Sequence, residues 1–258
     1  MCRIAAWVGA PRALEEVIVR PAHSLLEQSQ HAEEAKLSVN GDGFGFAWYD
    51  GDQPLPGLYR DVLPAWSDGN LPSLCRMIRA PLFLAHVRAS TMGETARTNC
   101  HPFTFQNWSF CHNGQIPAFP NLRRKLEEAL PDDLYAARRG STDSEMLFLT
   151  LLANGLRSDP AVALRRTFDA LRPGPGQAPN RATVIFSEGH SVFACRHASD
   201  NRAPTLYSQM DHNGGHVLAS EPLDGNAENW TLLPTEQLIT FSSGVAPTMV
   251  PLDQRQAA

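Results

Sequence analysis

The order of secondary-structure signals constrains this chain most. Short strand-like runs come first, a helical middle follows, and a further set of strands lies beyond a run of prolines and glycines. The first strands read as Arg3 to Gly9, closed by Gly9-Ala10-Pro11; Phe44 to Tyr49, bounded by Asn40-Gly41-Asp42-Gly43 and Asp50-Gly51-Asp52; Leu82 to Val87; and Trp108 to His112. Asn113-Gly114 is a strong turn signal and is expected to end the last of these. Leu14 to Val19 reads as a short helix, Leu25 to Lys36 as irregular or a surface helix, and Leu71 to Arg79 as helical. In the middle, Leu122 to Leu130 is amphipathic. Thr142-Asp143-Ser144-Glu145 has the spacing of a capping box, opening a helix to about Leu156. Ala161 to Leu171 repeats its apolar residues at helical spacing.

Arg172-Pro173-Gly174-Pro175-Gly176 breaks the helices, as a loop within one domain spanning 1–258. Strands are then expected at Ala182–Ser187, Ser191–Arg196, Thr205–Gln209, Val217–Ser220 and Gln237–Ser242. Strands, helices, then strands imply an α+β domain with mainly antiparallel sheets covered by helices.

Composition excludes several classes. Among 258 residues the longest greasy segment, Met146 to Ala153, is too short to cross a bilayer, and the N-terminus does not read as a signal peptide. Net charge is −5, and the short basic runs Arg123-Arg124-Lys125 and Arg138-Arg139 cannot track a phosphate backbone, so neither nucleic acid nor membrane is expected as a partner. The five cysteines are odd in number and form no Cys-x-x-Cys pair, which points to a reducing compartment and a cytoplasmic location. His86, Cys100, His101, Cys111 and His112 match no zinc spacing, and the adjacent Cys111 and His112 should point to opposite faces of their strand, so no metal is expected.

Cysteine is the second residue. Once Met1 is trimmed, as is usual before a small side chain, Cys2 carries both a thiol and a free α-amine, which titrates near ~7.7–8.0 and is a usable base at neutral pH. Four polar clusters accompany it. Arg88, after Ala85-His86-Val87, can clamp a carboxylate or simply pair with a local acid. His101, in Asn99-Cys100-His101-Pro102-Phe103, can order a loop. Asn113-Gly114 can form an oxyanion hole, or no more than a turn. Asp143 can bind an ammonium group or merely favour the helix N-terminus. Singly, each has an ordinary structural explanation.

Together and in this order, Cys2, Ala-His-Val-Arg-x-x-Thr-x-Gly, His-Pro-Phe, His-Asn-Gly and Ser-Thr-Asp-Ser-Glu resemble the class II glutamine amidotransferases, which are N-terminal nucleophile hydrolases. The likeness covers residues 2 to about 150 and continues weakly through Ala219-Ser220-Glu221-Pro222-Leu223. It implies a four-layer αββα sandwich of two antiparallel sheets, and hydrolysis of a γ-glutamyl amide through a Cys2 thioester. By the same resemblance Asn113 and Gly114 would hold the oxyanion, Arg88 the substrate α-carboxylate and Asp143 its α-ammonium. Thr91 would add a contact, and His101 and His112 would support from behind. No cofactor is implied.

Family members that carry a synthetase or transferase domain usually place Trp after the arginine and His after the threonine; here those positions hold Ala89 and Met92. The chain is more similar to the short standalone branch that acts on γ-glutamyl conjugates in glutathione breakdown and the ergothioneine pathway. Two alternatives stay open: a glutaminase subunit that delivers ammonia to a separate synthase, and a non-catalytic relative that binds a γ-glutamyl ligand. The leaving group and the oligomeric state, including a homo-oligomer, stay open too. The glycine run Gly41, Gly43, Gly45 lacks dinucleotide-binding spacing and is expected to be a tight turn where backbone approaches backbone.

Overall fold

The structure is a computed structural model that describes residues 2–35, 37–90 and 93–252. Two antiparallel sheets carry it. The first contains β1 (Arg3–Ala13), β2 (Phe44–Tyr49), β3 (Gly57–Asp61), β4 (Arg79–Val87), β9 (Tyr207–Met210), β10 (His216–Ala219) and β11 (Thr231–Leu232), in the order β11-β9-β10-β1-β4-β2-β3. The second contains β5 (Phe103–Phe105), β6 (Trp108–Gln115), β7 (Arg181–Ser187), β8 (Val192–Ala198), β12 (Gln237–Ser242) and β13 (Val245–Pro251), in the order β13-β12-β8-β7-β6-β5.

Period-two alternation then sorts the side chains into layers. On β1, Ile4, Ala6 and Val8 point between the sheets, where they meet Leu82 and Leu84 of β4, Cys111 of β6 and Ile185 of β7. Ala5 and Trp7 point the other way, into a core with Phe83, Ala85 and Val87 beneath α1 (Glu15–Ile18), α2 (Leu25–Gln30) and α3 (Leu71–Met77). The outer face of the second sheet, with Phe110, Val184 and Phe186, packs under α4 (Phe119–Glu128), α5 (Asp132–Ala137), α6 (Asp143–Ala153) and α7 (Pro160–Ala170). The result is the expected α+β sandwich, with helices outside two facing sheets. No helix among the described residues is long and apolar enough to cross a membrane.

The greasy Met146–Ala153 segment lies within α6, whose residues are buried almost throughout because it sits between the second sheet and its neighbouring helices; Phe148 stacks on Phe110 at 5.1 Å between ring centroids. Thr142 caps it, its Oγ1 accepting from the Glu145 amide at 3.2 Å. The Glu145 carboxylate departs from a simple capping box and takes the amides of Arg139 and Gly140 instead.

Three expectations need correction. Asn113-Gly114 does not end β6 in a turn. The strand runs to Gln115, with Asn113 opposite Thr183 and Gly114 opposite Ala182, because β7 supplies a ladder that outweighs local turn propensity. Gly9-Ala10-Pro11 does not end β1; the strand passes through a register shift between Val8 and Arg12 and resumes its pairing with β4. The strands β3, β5, β11 and β13 were not expected. They are short or at sheet edges, where alternation is weak: residues of β13 are mostly exposed.

Tyr49, on β2 of the first sheet, links the two sheets directly. Its hydroxyl lies 2.8 Å from Asn107 O, 2.8 Å from Ser109 Oγ and 3.1 Å from Ser187 O. Burial pushes this phenol well above its usual pKa. Tyr49→Phe is expected to lower unfolding free energy by about 1–3 kcal/mol, the cost of leaving buried polar groups unpaired, measured by urea titration at constant m-value.

Candidate active site

Cys2 precedes β1. Arg3 lies opposite Val87 in the β1–β4 ladder, so Cys2, one residue earlier, lies opposite Arg88. Alternation aims its side chain into the same layer as Ile4 and Ala6. The buried Sγ donates to the Ala89 carbonyl at 3.5 Å. Burial raises the thiol pKa, so the sulfur is protonated at rest at neutral pH; the Arg88 cation opposes that rise.

The turn at Asn40–Gly43 builds the Arg88 end of the site. The Asp42 amide donates to Arg88 O and the Arg88 amide to Gly43 O, extending the β2–β4 pairing past both strands. The buried guanidinium donates from Nη1 to Asp42 O at 3.2 Å and from Nη2 to Ser90 Oγ at 3.0 Å, while the Asp42 carboxylate accepts the Ser90 amide at 2.7 Å. Gly43 has φ +114°, and a Cβ there would sit 2.8 Å from the Asp61 main-chain oxygen as well as 2.5 Å from Cys100 Sγ. The expected close approach of backbone is therefore present, and it requires glycine.

Asn113 reaches the layer from the opposite sheet. It lies two residues from Cys111, on the same face of β6, and is fully buried. Neither its Oδ1 nor its Nδ2 has a hydrogen-bond partner among the described residues. A buried amide with no partner is costly, typically about 1–3 kcal/mol per group, unless something occupies that space in the working molecule. Gly114 follows with φ +155°, and a Cβ there would overlap the Arg181 carbonyl oxygen. Any side chain at this position would push β6 off β7.

Histidines brace this end of the sandwich. The His86 Nε2 donates to His112 O at 3.2 Å, tying β4 of one sheet to β6 of the other, one residue before Asn113. Its Nδ1 has no partner among the described residues. The His101 ring stacks on His86 with centroids 3.9 Å apart. Burial holds His86 neutral, its pKa pushed down to about 3, and drives His101 well below the usual range. His112 points to the opposite face from Cys111, as alternation predicts, and its Nδ1 lies 2.8 Å from Ser144 Oγ. Ser144 Oγ also lies 3.3 Å from Asp143 Oδ1, so the hydroxyl sits between the His112 imidazole and that carboxylate.

Asp143 opens α6. It is buried, and its Oδ2 accepts the Ile116 amide at 2.9 Å, which holds the carboxylate against the chain immediately after Asn113-Gly114-Gln115. Asn99 joins this corner to the segment that follows Arg88: its Nδ2 donates to Glu94 O, and its Oδ1 accepts the Ser141 amide at 2.8 Å. The fold thus brings Cys2 and Arg88 to one end of the inter-sheet layer, with Asn113 on the facing strand β6 and His101 stacked on His86, while Asp143, at the start of α6, is tied to the chain just beyond Gly114 and lies on the same side of β6 as His112. Thr91 lies outside the described residues, as does Met1.

The class-II glutamine amidotransferase family profile matches residues 19–209. The chain belongs to the class II glutamine amidotransferases. The probable glutamine amidotransferase DUG3 of Saccharomyces cerevisiae is 33% identical, over 93% of this chain and 82% of that protein. The gamma-glutamyl-hercynylcysteine sulfoxide hydrolase of Mycolicibacterium smegmatis is 29% identical, over 93% and 95% of the two chains. A solved class-II domain protein from Silicibacter pomeroyi superposes with a TM-score of 0.75 at 36% identity, covering 97% of this chain and 99% of that one. The superposition covers nearly all of both chains, so the likeness to the Silicibacter pomeroyi protein is one of whole fold rather than of one motif.

Sequence reasoning quoted His86 without giving it a role, and missed Asp42, Asn99 and Ser144 as well. Asp42 was visible only as part of a glycine turn, and Asn99 only as the residue before Cys100. Their work depends on chain segments distant in sequence.

The buried neutral imidazole of His86 has a consequence for stability. Unfolding restores its pKa from about 3 toward 6.5, so between these values the unfolded chain binds the extra proton and stability rises with pH. The urea midpoint is expected to fall as pH drops from 7 to 5. In His86→Phe, which keeps a ring against His101, that dependence should be shallower.

Proposed function

We propose that this class II amidotransferase hydrolyses the γ-glutamyl amide bond of glutamine or a small γ-glutamyl conjugate through a thioester on Cys2. The observation that carries the reading is the buried, unpartnered Asn113 amide facing the layer that also receives the Cys2 thiol. Such an amide suits an oxyanion that exists only during reaction.

Removal of Met1 exposes the Cys2 α-amine. The thiol, protonated at rest, needs a base, and this amine takes its proton as Sγ attacks the γ-carbonyl carbon. Negative charge moves to the carbonyl oxygen, where the Asn113 Nδ2 and the Gly114 amide stabilise it. Collapse of the tetrahedral species breaks the C–N bond, and the ammonium returns its proton to the departing ammonia or amine. Water then attacks the thioester, releasing the γ-carboxylate and restoring the thiol. Arg88 pairs with the substrate α-carboxylate and Asp143 with its α-ammonium, with Thr91 as a further contact. His101 and His112 hold the surrounding strands and touch no reacting atom. Reading both charged ends restricts the substrate to an unblocked γ-glutamyl group. The hydrolase name borne by the Mycolicibacterium smegmatis relative supports conjugates over glutamine alone.

Processed protein is to be assayed against glutamine, glutathione, γ-glutamylcysteine and γ-glutamyl thiohistidine conjugates. At least one should release glutamate, and Cys2→Ala should abolish release. Asn113→Ala should lower kcat by about 10²–10³. Arg88→Met should act mainly on KM, raising it by about 10- to 100-fold, the worth of a lost charged hydrogen bond. No release from any substrate, or equal release by Cys2→Ala, would overturn the reading.

A further inference from the structure

The Ser220-Glu221 pair seen in the sequence has no part in the chemistry above, yet it is fully buried beside the nucleophile. β10 pairs with β1 only as far back as Ala219 opposite Ala5. Beyond that point the main-chain groups of Ile4 and Cys2 that face β10 lose their ladder, and a buried main-chain group without a partner is costly.

Side chains and one further main-chain bond take the place of the missing strand. The Ser220 Oγ accepts the Ile4 amide at 2.9 Å, and the Ser220 amide donates to Ile4 O at 2.9 Å. The Cys2 carbonyl is taken by the neighbouring side chain, with Arg3 Nε donating to it at 2.7 Å. Arg3 is wholly buried, and its Nη1 donates to Glu221 Oε1 at 2.7 Å. Glu221 is held in turn. Its Oε2 accepts His23 Nε2 at 2.6 Å and the Glu33 amide at 3.0 Å, and its Oε1 accepts the Glu34 amide at 2.9 Å. Every acceptor direction of this carboxylate is committed, so the guanidinium that grips Cys2 has a single placement. Burial lowers the Arg3 pKa, opposed by the Glu221 charge.

We infer that Arg3, Glu221 and Ser220 are positioning residues that hold the main chain of Cys2, so that the thiol and the α-amine, both attached to its Cα, are presented at a set angle to the substrate carbonyl. The inference rests on the Cys2 reading above. A buried ion pair often adds little stability over an apolar pair of equal volume, so the Arg3 side of this network, beside the nucleophile, fits orientation better than stabilisation.

The test is Arg3→Lys. Lysine can keep the ion pair with Glu221, but its ammonium cannot reproduce the forked geometry that places a second donor on the Cys2 carbonyl. Expected are a wild-type urea midpoint, a kcat lower by about 10- to 100-fold, and a KM changed by less than about threefold, since Arg88 and Asp143 are untouched. A parallel Arg3→Met/Glu221→Leu variant removes both buried charges together; it should fold, and its kcat should stay low. Either variant, folded and with wild-type kcat, would overturn the inference. Alkylation of Cys2 by iodoacetamide, followed by peptide mass spectrometry, needs no turnover. It should be faster than wild type by about fivefold or more in Arg3→Lys, as the loosened residue opens more often. Wild-type alkylation in a folded Arg3→Lys protein would overturn the inference even if no substrate were found, whereas loss of the Cys2 mechanism would appear as activity surviving in Cys2→Ala.

Discussion

Face-to-face packing of the two sheets is the constraint from which the site follows. Sheets stack about 10 Å apart, and that gap is filled along most of its length by Ile4, Ala6, Leu82, Leu84, Cys111 and Ile185. At one end the apolar filling gives way to His86, Asn113 and the Cys2 thiol, carried on the same strands and the same faces. A site placed this way needs no separate scaffold. Its walls are the continuation of a core whose alternation already aims every second side chain inward.

Polar groups are expensive in such a place, and the fold handles them unevenly. Arg88, Asp143 and Glu221, with the half-buried Asp42, are tied into hydrogen bonds from loops and helix starts, so their removal from water is compensated. The Asn113 amide is left without a partner among the described residues, as are one nitrogen of His86 and both of His101. Local breaches of polar satisfaction of this kind concentrate where a ligand works. The hydrogen bond from His86 to the His112 carbonyl fixes how far apart the sheets stand at this end, and so how far the sulfur is from the amide.

Much of the fold was legible in the chain. Short apolar or aromatic strand runs, such as Phe44–Tyr49 and Leu82–Val87, and helices with a cap and a long apolar run, such as Asp143–Ala153, announce themselves locally. Asn113-Gly114 misled for the same local reason. The dipeptide favours a turn, and only the presence of β7 alongside keeps it extended. The edge strands β3, β5 and β13 are short or largely exposed, so burial imposes no clear pattern on their residues.

The order of motifs from Cys2 through Ser-Thr-Asp-Ser-Glu determined the family by itself, because residue types at ordered positions survive without coordinates. Alternation likewise determined that Cys111 and His112 part to opposite faces. What only the tertiary structure decided is who stands beside whom. Arg3 reaching Glu221 across 218 positions, His86 bonding to His112 across the sheets, and Asp143 taking the Ile116 amide all depend on strand register and layer packing. Register is a property of two segments together, and neither segment carries it alone.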